Sequence, residues 1–204
     1  MIADIGANIG YYTAIAAEAT GPEGLVLAFE PEPENFKFLK KTVVLNGFKN
    51  VECCEMGIAD FEGRGKLYLS TEGNMGDHRI YLSPEKRPGI DIELTTLDNF
   101  LKKRGIAKLD VIKMDIQGAE GLAIRGMKET LKNSEKLKIF TEFWPTGIER
   151  TGLKPADFLY ALARANFKIY NINRKNGALE SISDFESFAK KFGGREFANL
   201  YCEK

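Results

Sequence analysis

The sequence predicts an α/β fold, a mainly parallel sheet with helices on both faces, and three observations carry that reading. Short apolar runs, of which residues 25–29 (LVLAF) are the clearest, alternate along the chain with segments of helical period. Runs so evenly apolar suit strands buried on both faces. Strand and helix in strict alternation require crossovers of one hand and a layered architecture. At 204 residues with 44% apolar side chains, the chain is long enough for one substantial core, so the expectation is a single domain over residues 1–204.

Residues 2–5 are a stub of strand, and the brevity of this stub raises the expectation of a preceding segment. Residues 11–19 follow as a helix whose stripe of Tyr12, Ile15, Ala16 and Ala19 would face the core. After the strand at 25–29, residues 33–45 form a second helix with Phe36, Leu39 and Val43 on one face, stopped by Asn46-Gly47. Residues 51–56 are the next strand, in which the adjacent Cys53 and Cys54 point to opposite faces. The middle changes character: residues 66–70 and 90–95 alternate apolar and polar around a polar, Gly/Pro-rich connection, the pattern of a half-exposed antiparallel hairpin. This reads as an insertion spanning about 64–95. The α/β alternation then resumes with a strand at 109–114, a helix at 119–131, a strand at 137–143, a helix at 155–165 and closing strands at 167–172 and 197–202.

Composition narrows the partners. Twenty-nine basic residues balance 29 acidic ones, so nothing in the bulk charge recruits nucleic acid or an anionic membrane, and neither is expected as a partner. No apolar run approaches the length of a membrane span and no signal peptide precedes Asp4, which makes a cytoplasmic location the default expectation. Three cysteines, an odd number, are expected as buried reduced thiols. The oligomeric state is not legible.

In a sheet of this kind ligands bind at the carboxyl ends of the strands. The first such turn reads DIGANIGYYT, an Asp-x-Gly-x-Asn-x-Gly loop running into a helix. Gly6 and Gly10 permit backbone angles that side chains oppose and a close approach of ligand to main chain. Asp4, before the first glycine, would crowd a pyrophosphate but pair with an ammonium, which turns the reading from a dinucleotide to S-adenosyl-L-methionine. Glu30 ends the second strand about twenty residues after the loop, where a ribose-binding carboxylate belongs.

At this point the chain resembles a known family. DIGANIGYYT, FEPEPENFKFLKKTVVLN, GIADFEG, TTLDNFL and IKMDIQGAE occur in the order found in the FkbM family of S-adenosylmethionine-dependent methyltransferases, over residues 4–143. The resemblance implies a class I methyltransferase (Rossmann-like) fold with a seven-stranded, mostly parallel sheet whose last strand is antiparallel. It also implies O-methylation, commonly of a hydroxyl on a sugar or other secondary metabolite, so a small-molecule or glycan acceptor is the implied partner. Asp4, Gly6, Asn8 and Gly10 match the family's cofactor loop, Glu30 its ribose acid, Gly57 and Ile58 the turn bordering the adenine, and Asp115 the acid beside the methyl group. Where the family usually carries a second acid two residues on, this chain has Gln117.

The chemistry asks for little: a sulfonium methyl is already activated, so the protein must align an acceptor oxygen and dispose of its proton. Asp115, Glu142 at the end of the next strand, and His78, the only histidine, are the catalytic candidates. Glu120 reads as a cap within its helix. Without a further oxygen ligand in EFWP, no metal site is expected at Asp115 and Glu142. Acceptor recognition is expected in the insertion, where NMGDHRIY groups Asn74, Asp77, His78 and Arg79; Trp144 reads either as a sugar-stacking ring or as core. Two other readings stand beside the methyltransferase: a methyltransferase-like module that binds without catalysis, and an NAD-linked oxidoreductase, which the missing third glycine and Asp4 disfavour.

Overall fold

A computed structural model describes residues 1–71, 73–81 and 86–204. Residues 72 and 82–85, in the predicted insertion, lie outside the described residues. The elements run β1 (Ile2–Ile5), α1 (Tyr11–Thr20), β2 (Val26–Phe29), α2 (Pro33–Leu45), β3 (Val51–Cys54), β4 (Gly57–Ile58), β5 (Gly63–Tyr68), β6 (Gly89–Thr95), α3 (Leu97–Lys103) and β7 (Val111–Met114). They continue with α4 (Glu120–Arg125), α5 (Lys128–Asn133), β8 (Lys138–Phe143), α6 (Pro145–Arg150), α7 (Pro155–Arg164), β9 (Lys168–Ile172), β10 (Leu179–Ser181), α8 (Phe185–Ala189) and β11 (Ala198–Glu203).

The main sheet has the order β10-β9-β11-β8-β7-β1-β2-β3. Strands β3, β2, β1, β7 and β8 are mutually parallel, and β11 runs antiparallel between β8 and β9. The seven expected strands and the antiparallel last strand are therefore present. The three-residue β10 extends the β9 edge as an eighth, too short and too polar (LES) to stand out in the sequence. The order reverses beside β1, so the carboxyl ends of β1, β2 and β7 open onto one crevice.

Side-chain alternation divides the core in two. Leu27, Phe29 and Cys54 face the larger cluster, with Ile112, Met114, Ile139 and Phe143, while Ala28 and Cys53 turn to the other face against Phe36, Leu39 and Val43 of α2. The three cysteines are free, and burial pushes the Cys54 and Cys202 thiols up to about 12.

Three elements depart from expectation. In α1 the buried residues are Thr13 and Ala17, not the stripe of Tyr12, Ile15, Ala16 and Ala19; Tyr12 and Ile15 are about half exposed. The small residues win because the helix lies close to β1, where the Thr13 hydroxyl donates to the Asp4 carboxylate at 2.6 Å. The single helix expected at 119–131 is two helices, α4 and α5. It breaks where Gly126 packs so tightly on the Ala59 carbonyl that a Cβ would lie 2.0 Å from that oxygen. Asp98 of α3 then caps the new start, accepting from the Glu129 and Thr130 N–H groups at 2.9 and 2.8 Å. The expected hairpin is β5 paired antiparallel with β6, and β4 adds alongside β6 to make a separate three-stranded sheet. Among the described residues no helix is long and apolar enough to cross a membrane.

Candidate functional site

The glycine loop is built by contacts between three strand ends. The Gly6 and Ala7 N–H groups donate to the Phe29 carbonyl at 3.0 and 2.9 Å, and the Asp115 N–H donates to Ile5 at 3.1 Å. Gly6 has φ 77°, and a Cβ there would lie 2.1 Å from the Asp115 carbonyl oxygen. Its role is thus to let the β1 and β7 turns touch. Gly10 (φ 92°) has a different neighbour: a Cβ would meet Leu39 and Thr42 of α2 at 3.0 to 3.2 Å. It serves helix packing, and neither Gly10 nor Asp4 lines the adjacent cleft. Asp4 is buried, accepting from Thr13 through Oδ2 while Oδ1 lies 3.1 Å from the Lys113 ammonium, off hydrogen-bond geometry. In the structure Asp4 pairs with Lys113, whose Nζ also donates to the Gly6 carbonyl at 2.7 Å.

The cleft itself is lined by Gly6, Asn8, Glu30, Asn35, Gly57, Ile58, Met75, His78, Asp115 and Gln117 among others. Its enclosed part is small, about 60 Å³, and its mouth opens to solvent. Asn8, in the left-handed region at φ 50°, donates its N–H to Glu30 Oε2 at 2.8 Å, and Glu30 Oε1 accepts from the Glu32 N–H at 2.9 Å. Each Glu30 oxygen therefore keeps acceptor capacity. Burial raises the Glu30 carboxyl to about 7, against the lowering effect of the Glu32 and Asn8 N–H groups.

Asn35 was not legible as a site residue. It is buried in the first turn of α2, donates to the Met75 carbonyl at 2.9 Å, and leaves Oδ1 buried with no hydrogen-bond donor among the described residues. Spacing offered a signal, since Asn35 precedes Leu39 and Val43 at intervals of four, a polar residue on an apolar stripe. The Met75 carbonyl also accepts from Asn8 Nδ2 at 2.9 Å, so the insertion folds over the cleft and is tied to two of its residues.

His78 reaches the cleft with that segment. Its Nδ1 accepts from the Ser70 N–H at 3.1 Å, which assigns the proton of the neutral ring to Nε2. Burial lowers its pKa below the usual imidazole value, opposed by Glu32 and Asp77.

A second cavity adjoins the first, lined by Asn74, Asp77, Arg79, Gln117, Glu142, Trp144, Arg195 and Phe197. Gln117 lines both. Asp77 and Arg79 are less available than their spacing suggested: the Arg79 guanidinium forms a two-point pair with the Asp77 carboxylate at 2.8 and 3.0 Å, and Arg87 adds a bond to the same carboxylate at 2.7 Å. Trp144 is core rather than a stacking platform, being 5% exposed with the Arg79 and Arg150 guanidinium groups against its ring.

The turn after β7 sits at the junction. Gln117 adopts φ 55° and Gly118 φ 99°, and a Cβ on Gly118 would lie 2.5 Å from the Gly147 backbone. The Tyr81 hydroxyl donates to the Gln117 carbonyl at 2.8 Å. Gln117 Nε2 donates to Asp115 Oδ1 at 2.8 Å and reaches Glu142 Oε2 at 3.4 Å. Glu120 accepts from the Ile116 N–H at 2.9 Å, in the turn before α4 and not as the expected cap of that helix, and it converges with Asp115 and Glu142, each offering an oxygen within 4.8 Å of the others. Burial and mutual repulsion raise Glu120 to about 7 and Glu142 to about 8.

The strand order, the glycine loop and the acid ending β2 define a class I methyltransferase architecture. The chain belongs to the FkbM methyltransferase family, whose domain model, Methyltransferase FkbM domain, matches residues 4–169. It is 25% identical to Methyltransferase sdnD of Sordaria araneosa, covering 72% of this chain and 68% of that protein. It is 27% identical to the 2-O-methyltransferase NoeI of Sinorhizobium fredii, over 70% of this chain and 63% of that one. Among solved structures, Methyltransferase FkbM from Methylobacillus flagellatus matches 98% of this chain with TM-score 0.60 at 18% identity, and this chain spans 42% of that one. A proposed methyltransferase from Streptococcus mutans in complex with SAH gives TM-score 0.53 at 10% identity, over 100% of this chain and 87% of that one. At these identities the structural matches speak for the fold.

Proposed function

We propose that the chain is an S-adenosylmethionine-dependent O-methyltransferase acting on a hydroxyl of a sugar or other secondary metabolite. The observation that carries this reading is the cleft in which the Gly6–Asn8 turn meets the Glu30 carboxylate. The Glu30 oxygens are acceptors with capacity to spare, and a nucleoside presents ribose hydroxyls as donors to them. The relative named as a 2-O-methyltransferase and the neighbour solved with SAH support the same reading.

When bound, S-adenosylmethionine would be held by the Gly6–Asn8 turn and Glu30 and would supply a methyl group already activated by its sulfonium, with the neutral thioether as leaving group. The chain's own tasks are alignment and proton removal. Asp115 and Gln117 line the cofactor cleft, while Gln117 and Glu142 line the second cavity. An acceptor held in the second cavity would thus present its hydroxyl at Asp115 and Glu142, which orient it and take up the released proton. Gln117, in place of the family's usual acid, donates to both carboxylates and keeps them in position.

His78 is the less suitable base, since its Nδ1 is occupied by Ser70 and protonating that nitrogen would set it against an N–H. His78→Ala is expected to lower turnover by less than the roughly 10²–10⁴-fold typical of losing a general base, and to keep the acidic limb of the pH–rate profile. A loss in that range together with disappearance of the limb would return the base to His78.

The experiment for the activity is methyl transfer from labelled S-adenosylmethionine to a panel of glycosides and hydroxylated metabolites. Saturable transfer to a hydroxyl is the expected result. Tight cofactor binding without transfer to any acceptor would favour the binding-module reading instead.

A further inference from the structure

The carboxylates of Asp115, Glu120 and Glu142 come from two neighbouring strand ends and one helix start, and they converge to within 4.8 Å. Glu120 is 0% exposed, and its Oε2 accepts no hydrogen bond from the described residues. Ionising a buried carboxyl whose free oxygen lies among two further acids is costly, and a cation placed among the three would offset that cost. The protein offsets part of this: the Ile116 N–H serves the other oxygen of Glu120, the Glu120 and Gly118 N–H groups and the Arg174 charge favour the ionised carboxylates, and the Gln117 amide reaches Asp115 at 2.8 Å and Glu142 at 3.4 Å. Lys113, nearest along the chain, is turned away to Asp4 and the Gly6 carbonyl.

We propose that this cluster is a binding site for one hard divalent cation of the magnesium or manganese class. The donors are all carboxylate oxygens, the set that selects such ions over zinc or copper. Three protein oxygens leave coordination positions for solvent or ligand. Because Gln117 and Glu142 also line the second cavity, an open position would face the acceptor hydroxyl. With the ion bound, the cation would align the oxygen and lower its pKa, and Asp115 and Glu142, then ligands instead of the proton acceptors of the ion-free reading, would leave the proton to solvent. This catalytic part rests on the methyltransferase reading; the binding of the ion does not.

Terbium(III) is a suitable probe, since Trp144 follows Glu142 directly and is the only tryptophan in the chain. Excitation through that ring should yield saturable terbium emission that manganese displaces, and Glu142→Gln and Glu120→Gln should each weaken binding at least tenfold. Calorimetry of manganese into the unaltered protein keeps the test independent of whether the variants fold. Absence of both terbium emission and manganese uptake at millimolar ion would overturn the site, as would emission unchanged in both variants. Full-rate methyl transfer in a chelator with no ion bound would overturn the ion's catalytic part and leave the transferase intact. Ion binding of the predicted pattern without any methyl transfer would support the site while removing the catalytic reading.

Discussion

Glu142→Gln should reduce methyl transfer about a hundredfold or more while leaving cofactor affinity within about twofold. Glu142 ends β8, lines the second cavity and does not line the cofactor cleft. The amide preserves shape but cannot take a proton and is a poor ligand for a hard cation, so turnover should fall whether the carboxylate acts alone or through an ion. Neither route predicts a change in cofactor binding. Calorimetry with S-adenosylhomocysteine and initial rates on the same preparation separate the two quantities. Turnover within about fivefold of the parent would remove Glu142 from the chemistry, and a matching loss of cofactor affinity would reassign it to the cleft.

Gly6→Val should be the most destabilising single change in the site. The new Cβ would lie 2.1 Å from the Asp115 carbonyl oxygen and 3.0 Å from Ile116 Cγ2. The backbone is at φ 77°, where a β-branched residue is strained. Strain of about 1–3 kcal/mol and overpacking of about 1–3 kcal/mol together predict roughly 2–6 kcal/mol lost, with the β1 and β7 turns forced apart. Gly21→Ala is the control, for Gly21 has a similar φ of 67° and nothing within 4 Å of an added Cβ. Chemical denaturation should therefore give a much smaller loss for Gly21→Ala. Equal losses at the two positions would mean that the contact with Asp115 contributes nothing.

Much of this was legible because it rests on local pattern. The buried strands, the post-strand acids at 30, 115 and 142 and the glycine loop are set by chain order and by the rule that ligands gather at strand ends. What escaped depended on which neighbour a residue meets. Gly10 and Gly6 look equivalent in the sequence, yet one abuts α2 and the other the β7 turn. Asp4 and Lys113 are 109 positions apart, so their pairing could not be read from spacing. Asp77 and Arg79 were correctly grouped, but their mutual pairing shifts them from free recognition groups toward structural ones. Glu120 looked like a helix cap from its place at the start of α4, but its carboxylate reaches back to the Ile116 N–H in the preceding turn and caps no group of that helix. Its convergence with Glu142 exists only once β7 and β8 lie side by side.

The central claim, that the cleft beside Glu30 holds S-adenosylmethionine, is tested most directly by calorimetric titration of S-adenosylmethionine and of NAD into the protein and into Glu30→Ala. The account predicts one site for S-adenosylmethionine and none for NAD at comparable concentration. Loss of hydrogen bonds to a charged acceptor should weaken binding by about ten- to a hundredfold in Glu30→Ala, or roughly 1.5–3 kcal/mol. Because burial holds the Glu30 carboxyl near 7, and the ionised form is the better acceptor, affinity should be higher at pH 8 than at pH 6 in the parent and show no such Glu30-dependent rise in the variant. Equal affinity in parent and folded variant, or preferential binding of NAD, would contradict the claim.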